Sequence, residues 1–254
     1  IAFFQKYNLS AIGLAPFGPL DLEPASPAYG SITATPKPRW SGTNIVAVFR
    51  SIFDIPLAFD LDVNAAAFGE YSWVPENRRL ESLVYFTIRT GIGAGIVIQG
   101  KLTHGLIHPE AGHMRLPHDH KKDPFPGTGI CSFHKDCFEG MASGTALARR
   151  WRRPAETLPN NHPAWELEAG HIAYALVNAI LTLSPQRIVL GGGVMQHQPF
   201  FPSIRSKVRG FLNGYLASPV FAGSMEEYIV PPALGKRSGV LGALALARTL
   251  AKRR

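Results

Sequence analysis

Short apolar runs that end in glycine or a carboxylate, each followed at once by a helical period, constrain this chain more than any other feature. Residues 55–59 form one such run. It delivers Asp60-Leu61-Asp62 into a small-residue helix beginning over 64–71. Residues 187–190 form another, leading through Gly191-Gly192-Gly193 to a helical stretch over 199–215. Strands that alternate with helices in this way predict an α/β fold. The remaining pattern agrees. A buried strand is expected over 11–15, running into Pro16-Phe17-Gly18-Pro19, and a turn-rich surface loop over 29–42. Helices are expected over 43–53, 138–150, 164–183 and 238–251, and a short strand over 228–230. Residues 83–88 and 95–99, separated by a glycine-rich turn, read as a hairpin, and 109–137 as loop.

The 254 residues, 46% of them hydrophobic, can bury the core of one large domain or two modest ones. No apolar run approaches the roughly 20 residues that span a bilayer. The first eight residues lack the basic and apolar regions of a signal peptide, so a cytoplasmic protein is expected. The sequence does not open on Met, which suggests a start inside a longer gene product. The formal charge of +8 could suit an acidic partner such as nucleotide phosphates, but the Lys and Arg residues are spread along the chain, which favours an ordinary solvated surface. No basic stripe interleaved with aromatics appears, which argues against nucleic acid as a partner.

Several constellations carry chemistry. A carboxylate at the tip of the strand over 55–59 could accept a proton from a substrate hydroxyl; Asp and Asn there also suit a plain helix N-cap. In Thr87-Ile88-Arg89-Thr90-Gly91-Ile92-Gly93-Ala94-Gly95, alternate glycines could form an anion-binding nest or an ordinary hairpin turn. Leu190-Gly191-Gly192-Gly193-Val194-Met195 suits a nucleotide lying against the backbone, or a tight strand-to-helix turn. Gly235, Ser238, Gly239 and Gly242 form a later small-residue patch, which also suits close packing of the last helix.

The two cysteines, Cys131 and Cys137, are too few for a secreted disulfide scaffold of this size. With His134 they form C-x2-H-x2-C, and His113 lies upstream. Two thiolates and two imidazoles would make a closed, structural tetrahedral Zn²⁺ set. A Cys131–Cys137 disulfide and inert buried thiols remain alternatives, and His118 and His120 compete as ligands. Glu110 and Glu139 flank this segment and could accept hydrogen bonds from sugar hydroxyls, or could be solvated surface charges.

Together these segments resemble the ROK family (repressors, open reading frames and sugar kinases), and within it the bacterial-type fructokinases. The resemblance runs from Ser10 to Ala247. It is carried by Phe17-Gly18-Pro19, Gly30-Ser31-Ile32-Thr33-Ala34-Thr35-Pro36-Lys37, Asp62-Val63-Asn64-Ala65-Ala66, His108-Pro109-Glu110-Ala111-Gly112-His113, Cys131 to Gly140, and Leu190 to Met195. It implies an actin-like (ribonuclease H-like) ATPase fold of two lobes with a structural zinc loop over 108–140. Residues 1–60, joined by the helix over 239–254, would belong to the small lobe, and 61–238 to the large one. It also implies ATP, Mg²⁺ and fructose as partners, phosphorylation to fructose 6-phosphate, and a homodimer.

By the same resemblance Asp62 is the catalytic base. Asn64, Glu110, Glu139, Gly18, Thr35 and Lys37 belong to the sugar side. Thr90, Gly91, Gly191, Gly192, Gly193 and Gly235 belong to the nucleotide side, and His113, Cys131, His134 and Cys137 hold the zinc. Family members open with a strand and a D/E-x-G-G-T-K loop, and nothing like it follows Ile1, so an incomplete first lobe is expected. The family usually has Gly where this chain has Arg89. If that position had positive φ, Arg would cost roughly 1–2 kcal/mol, though its cation could meet a phosphate. Rival readings are a catalytically impaired sugar-binding or sensor protein and a kinase for glucose or mannose. A repressor would need a helix-turn-helix, which is not visible here.

Overall fold

The computed structural model describes residues 6–35, 37–121, 123, 128–197 and 199–251. It divides into two compact units: Ile1–Glu81 with Gly95–Pro109 and Ala233–Arg254, and Ser82–Ala94 with Glu110–Pro232.

In the first unit, β1 (Ile12–Leu14) pairs in parallel with β2 (Leu57–Phe59), Ile12 opposite Leu57. Between them lies α1 (Ile45–Arg50). Asn44 caps it, accepting from the Ala47 amide at 2.8 Å and donating to the Tyr29 carbonyl at 2.9 Å, which ties down the turn-rich loop. β2 leads into α2 (Asp62–Trp73). The last helix, α8 (Ser238–Ala251), packs on α2 and β1.

Glycines permit that packing. A Cβ at Gly69 would stand 2.5 Å from the Ser238 carbonyl oxygen and 2.9 Å from the Gly242 nitrogen. Glu70, wholly buried, accepts from the amides of Ala233 and Leu234, each at 3.0 Å, and from the Ser238 hydroxyl at 2.7 Å. These bonds fix the turn into α8. Because α2 is held by α8, residues 62–81 pack with the N-terminal unit. The boundary expected at residue 60 therefore falls at Glu81, and 95–109 also join the first unit.

In the second unit, β3 (Ser82–Ile88) pairs in parallel with β6 (Arg187–Gly191), and β6 with β7 (Ile229–Val230). β4 (Ile92–Ile98) begins in this unit. It ends in the first, where it pairs antiparallel with β5 (Lys101–Leu102). The helices are α3 (Phe138–Ala142), α4 (Gly144–Trp151), α5 (Ala164–Leu183), α6 (Phe200–Leu212) and α7 (Pro219–Ala222). α5 is buried along most of its length and packs on α6 and α3.

Two local readings need correction. The single helix expected over 138–150 breaks at Ser143, whose ψ is 159°. Its hydroxyl accepts from the Ala146 amide at 3.1 Å and so starts a new helix. The hairpin turn is also tighter than the glycines imply. Gly93 and Gly95 lie inside β4, so they do not form a nest of successive amides. Gly95 lets the strand press on α2: a Cβ there would stand 2.7 Å from that of Ala67. Arg89 is not among the described residues with positive φ, so the strain considered for it does not arise.

Candidate active site

In the first unit, β2 delivers two carboxylates with different surroundings. Asp60 is 5% exposed. Its Oδ1 accepts from the Leu61 amide at 2.8 Å and from Asn64 Nδ2 at 2.6 Å, and its Oδ2 lies 3.0 Å from His104 Nε2. Asp62 opens α2 and is half-buried; its Oδ1 accepts from the Val63 amide at 2.8 Å. Its own amide donates to the Pro16 carbonyl at 2.9 Å, which joins this tip to the loop holding Gly18. Asn64 is wholly buried, its Nδ2 spent on Asp60 and its Oδ1 without a hydrogen bond. In this arrangement it braces Asp60 and does not face solvent.

Gly18 lies against Leu61 and His108. His108 is buried and accepts the Leu20 amide on Nε2 at 3.2 Å; burial lowers its pKa. Lys37 Nζ sits 3.2 Å above the Phe17 ring, and its amide donates to Thr35 Oγ1 at 3.3 Å. Gly18, Lys37 and Thr35 are thus linked through Phe17, next to the Asp62 tip. Pro36 lies outside the described residues.

In the second unit, Glu139 on the first turn of α3 accepts the Ile92 amide on Oε2 at 2.9 Å. A Cβ at Gly91 would stand 2.6 Å from that oxygen, so glycine there makes room for the carboxylate. Glu110 is exposed, and its carbonyl accepts the His113 amide at 2.9 Å. Gly192 has φ +103°, and a Cβ there would stand 2.6 Å from the Ile88 carbonyl carbon; only glycine fits. Gly191 continues β6, and Gly193 opens onto a cavity of about 780 Å³. Arg89, Thr90, Thr145, Trp165 and His197 also border it. The Trp165 and His197 rings stack at 4.0 Å with 9° between their planes. A cavity of this volume with an aromatic wall suits a nucleoside-sized ligand. Gly235, at φ +58°, belongs to the first unit, in the turn held by Glu70.

The four residues named for zinc converge, their ligand atoms all within 4.8 Å of one another. Cys137 Sγ lies 3.5 Å from His113 Nδ1; Cys131 Sγ lies 3.8 Å from His113 Nδ1 and 3.7 Å from His134 Nδ1. Tetrahedral Zn–S and Zn–N bonds of about 2.3 and 2.0 Å give an S···N edge of roughly 3.5 Å, so the donor set fits that ion. The cysteines are not joined in a disulfide. Burial pushes the Cys137 thiol up to about 11 and lowers His113. A cation between the four groups would reverse the thiol's preference. His118 and His120 form a separate group with Asp136. His118 lies 3.1 Å from Asp123 and 3.4 Å from Asp136, and Asp123 pairs with buried Arg150 at 2.8 Å.

Sequence reasoning noted Asp60 in the carboxylate motif without giving it a role of its own, and missed His104. The repeated carboxylate in Asp60-Leu61-Asp62 was the available signal for the first. Nothing local pointed to the second.

The pattern of the ROK family matches residues 2–250. The chain belongs to the ROK family. A relative from Bacillus subtilis strain 168 is 44% identical over 247 residues, which is 97% of this chain and 81% of its own length. The fructokinase of Streptococcus mutans is 40% identical over 257 residues, covering all of this chain and 85% of its own. A solved ROK family glucokinase from Streptomyces griseus, in complex with glucose and AMPPNP, aligns with a TM-score of 0.75. It is 22% identical and covers 96% of this chain and 83% of its own, a likeness of fold. This ROK protein is a kinase with the actin-like α/β fold, as its motifs imply. Among the described residues no helix is long and apolar enough to cross a membrane.

Proposed function

We propose that this ROK kinase transfers the γ-phosphoryl group of Mg-ATP to the 6-hydroxyl of D-fructose, with Asp62 as general base. The observation that carries the reading is the contrast at one strand tip. Asp60 is buried and saturated with donors, whereas Asp62 begins a helix and reaches solvent. Asp62 would take the proton from the hydroxyl as its oxygen attacks the γ-phosphorus and ADP leaves. Mg²⁺ would enter on the nucleotide phosphates and supply charge neutralisation. The name of the Streptococcus mutans relative supports fructose as acceptor. The glucose and AMPPNP of the Streptomyces griseus complex support a hexose and a nucleotide as the two substrates.

Arg89, Thr90 and Gly193 border the cavity proposed for the nucleotide. Glu110 and Glu139, and separately Gly18, Thr35 and Lys37, would be the residues that contact sugar. His113, Cys131, His134 and Cys137 would hold one structural Zn²⁺, pinning the segment that leads into α3 and Glu139.

Asp62→Asn should lower kcat by about 10²- to 10⁴-fold, while calorimetry still records fructose binding. Unchanged turnover in that variant would refute the assignment. A panel of fructose, glucose and mannose tests the sugar: fructose should show the highest kcat/KM.

A further inference from the structure

The proposed chemistry leaves the second carboxylate of the tip unused. Three donors converge on Asp60: the Leu61 amide, Asn64 Nδ2 and His104 Nε2. A buried carboxylate satisfied in this way is a fixed acceptor that sets the direction of whatever binds it. Two of the donors are buried with it. The third is not: the His104 side chain is 38% exposed, and its Nδ1 has no partner among the described residues. Neighbouring His108 differs, being 2% exposed with its Nε2 occupied by the Leu20 amide. Asp62 and His104 therefore both reach solvent at this tip, the imidazole with one nitrogen anchored and the other presented. The hydrogen bond to Asp60 also raises the His104 pKa, against the opposing effect of burial.

We infer that His104 is a sugar-contact residue, presenting Nδ1 to a hydroxyl of the hexose, and that Asp60 is the positioning residue that aims its ring. The inference rests on the reading of Asp62 as the base, because that reading puts the sugar at this tip. A hydroxyl both donates and accepts, so the contact forms with either protonation state of the imidazole. A purely structural ion pair would make the same Asp60 contact but would be indifferent to the sugar.

Two substitutions separate these roles. His104→Gln keeps an amide near the Nε2 position for Asp60 and loses the Nδ1 position. His104→Asn keeps a polar atom near Nδ1 and releases Asp60. If His104 holds the sugar, His104→Gln raises the fructose KM about tenfold, the scale of one hydrogen bond. The ATP KM and the thermal midpoint stay at wild-type values, and His104→Asn recovers part of the loss. Asp60→Asn should raise the fructose KM in the wild-type background and add little to His104→Gln. An unchanged fructose KM in His104→Gln, or a KM change matched by lost stability, overturns the inference. Asp62→Asn is measured alongside. If it loses turnover while His104→Gln is normal, only the role of His104 fails; if it retains full turnover, the reading of Asp62 fails first.

Discussion

Replacing Gly242 by alanine should loosen the first unit and impair catalysis together. A Cβ at this position would stand 2.9 Å from Ala65 Cα and closer still to the Ala65 carbonyl. The obstacle is helix backbone, so no rotamer change relieves it and α8 must move off α2. Gly69 also meets α8 closely, a Cβ there standing 2.5 Å from the Ser238 carbonyl oxygen, which leaves little room for a sideways slip. Overpacking of this kind costs about 1–3 kcal/mol and sometimes more. A gap of roughly 0.5–1 Å forfeits a quarter to a half of each dispersion contact along the crossing. Alanine returns about 1 kcal/mol of helix propensity. The net expectation is a loss of roughly 2 kcal/mol, or about 4–8 °C in Tm for a chain of this size. α2 begins at Asp62, so the same displacement moves the proposed base, and kcat should fall with stability. Gly239→Ala is the control: it lies on the same helix, and a Cβ there meets no heavy atom within 4 Å. It should be neutral or stabilising. Circular dichroism melts and steady-state kinetics on both variants decide the matter. A Gly242→Ala enzyme as stable as wild type, or a Gly239→Ala enzyme equally damaged, would refute the close-approach argument.

Metal analysis should find one zinc per chain, lost in Cys137→Ser, and chelation should lower the thermal midpoint by several degrees or more; a metal-free protein indifferent to chelator contradicts the donor geometry. Burial pushes His171 down to about 4 from an ordinary 6.5. Between those values the unfolded chain binds a proton that the folded one refuses, so stability falls as pH drops through this window. Nearby Glu168, raised by burial, acts in the opposite sense. Urea titrations should therefore show a flatter dependence over this range in His171→Gln than in wild type, and equal slopes count against a buried neutral imidazole. Arg89→Gly should raise the KM for ATP several-fold and leave that for fructose alone, if the guanidinium bordering the nucleotide cavity meets a phosphate; equal ATP KM values remove Arg89 from the site.

How much of this was legible depended on how far the deciding contacts lie along the chain. α5 and α8 were read to their ends because their boundaries are written locally: Ser184-Pro185 stops one, and an unbroken helical period defines the other. The Cys/His cluster was legible for the same reason. Three ligands occupy one short C-x2-H-x2-C segment, and a turn of that length brings its side chains together wherever it sits. The role of Gly93 and Gly95 stayed open between a nest and a hairpin because local sequence shows only a shortage of side chains. The need for that shortage comes from α2, which presses on Gly95 from a distant part of the chain. The break at Ser143 was in principle readable, since a serine followed by glycine is a competent cap, but the apolar period on both sides obscured it.

The two carboxylates at the end of β2 mark where local reading stops. Both follow the same apolar strand and both could cap the same helix, so composition and spacing cannot rank them. The fold ranks them by burial: Asp60 is enclosed among the Leu61 amide, Asn64 and His104, whereas Asp62 is half-buried at the helix start. Asn64, one helical turn on, and His104, from the loop after β5, both turn to Asp60. A carboxylate that accepts three hydrogen bonds gains nothing by leaving them for a substrate proton. Its neighbour, half-exposed at the helix start, keeps that capacity. The proposed division of labour between a residue that aims and a residue that reacts therefore rests on tertiary contacts. It follows that exchanging the donors, rather than the carboxylates themselves, is the sharper way to alter which of the two does the chemistry.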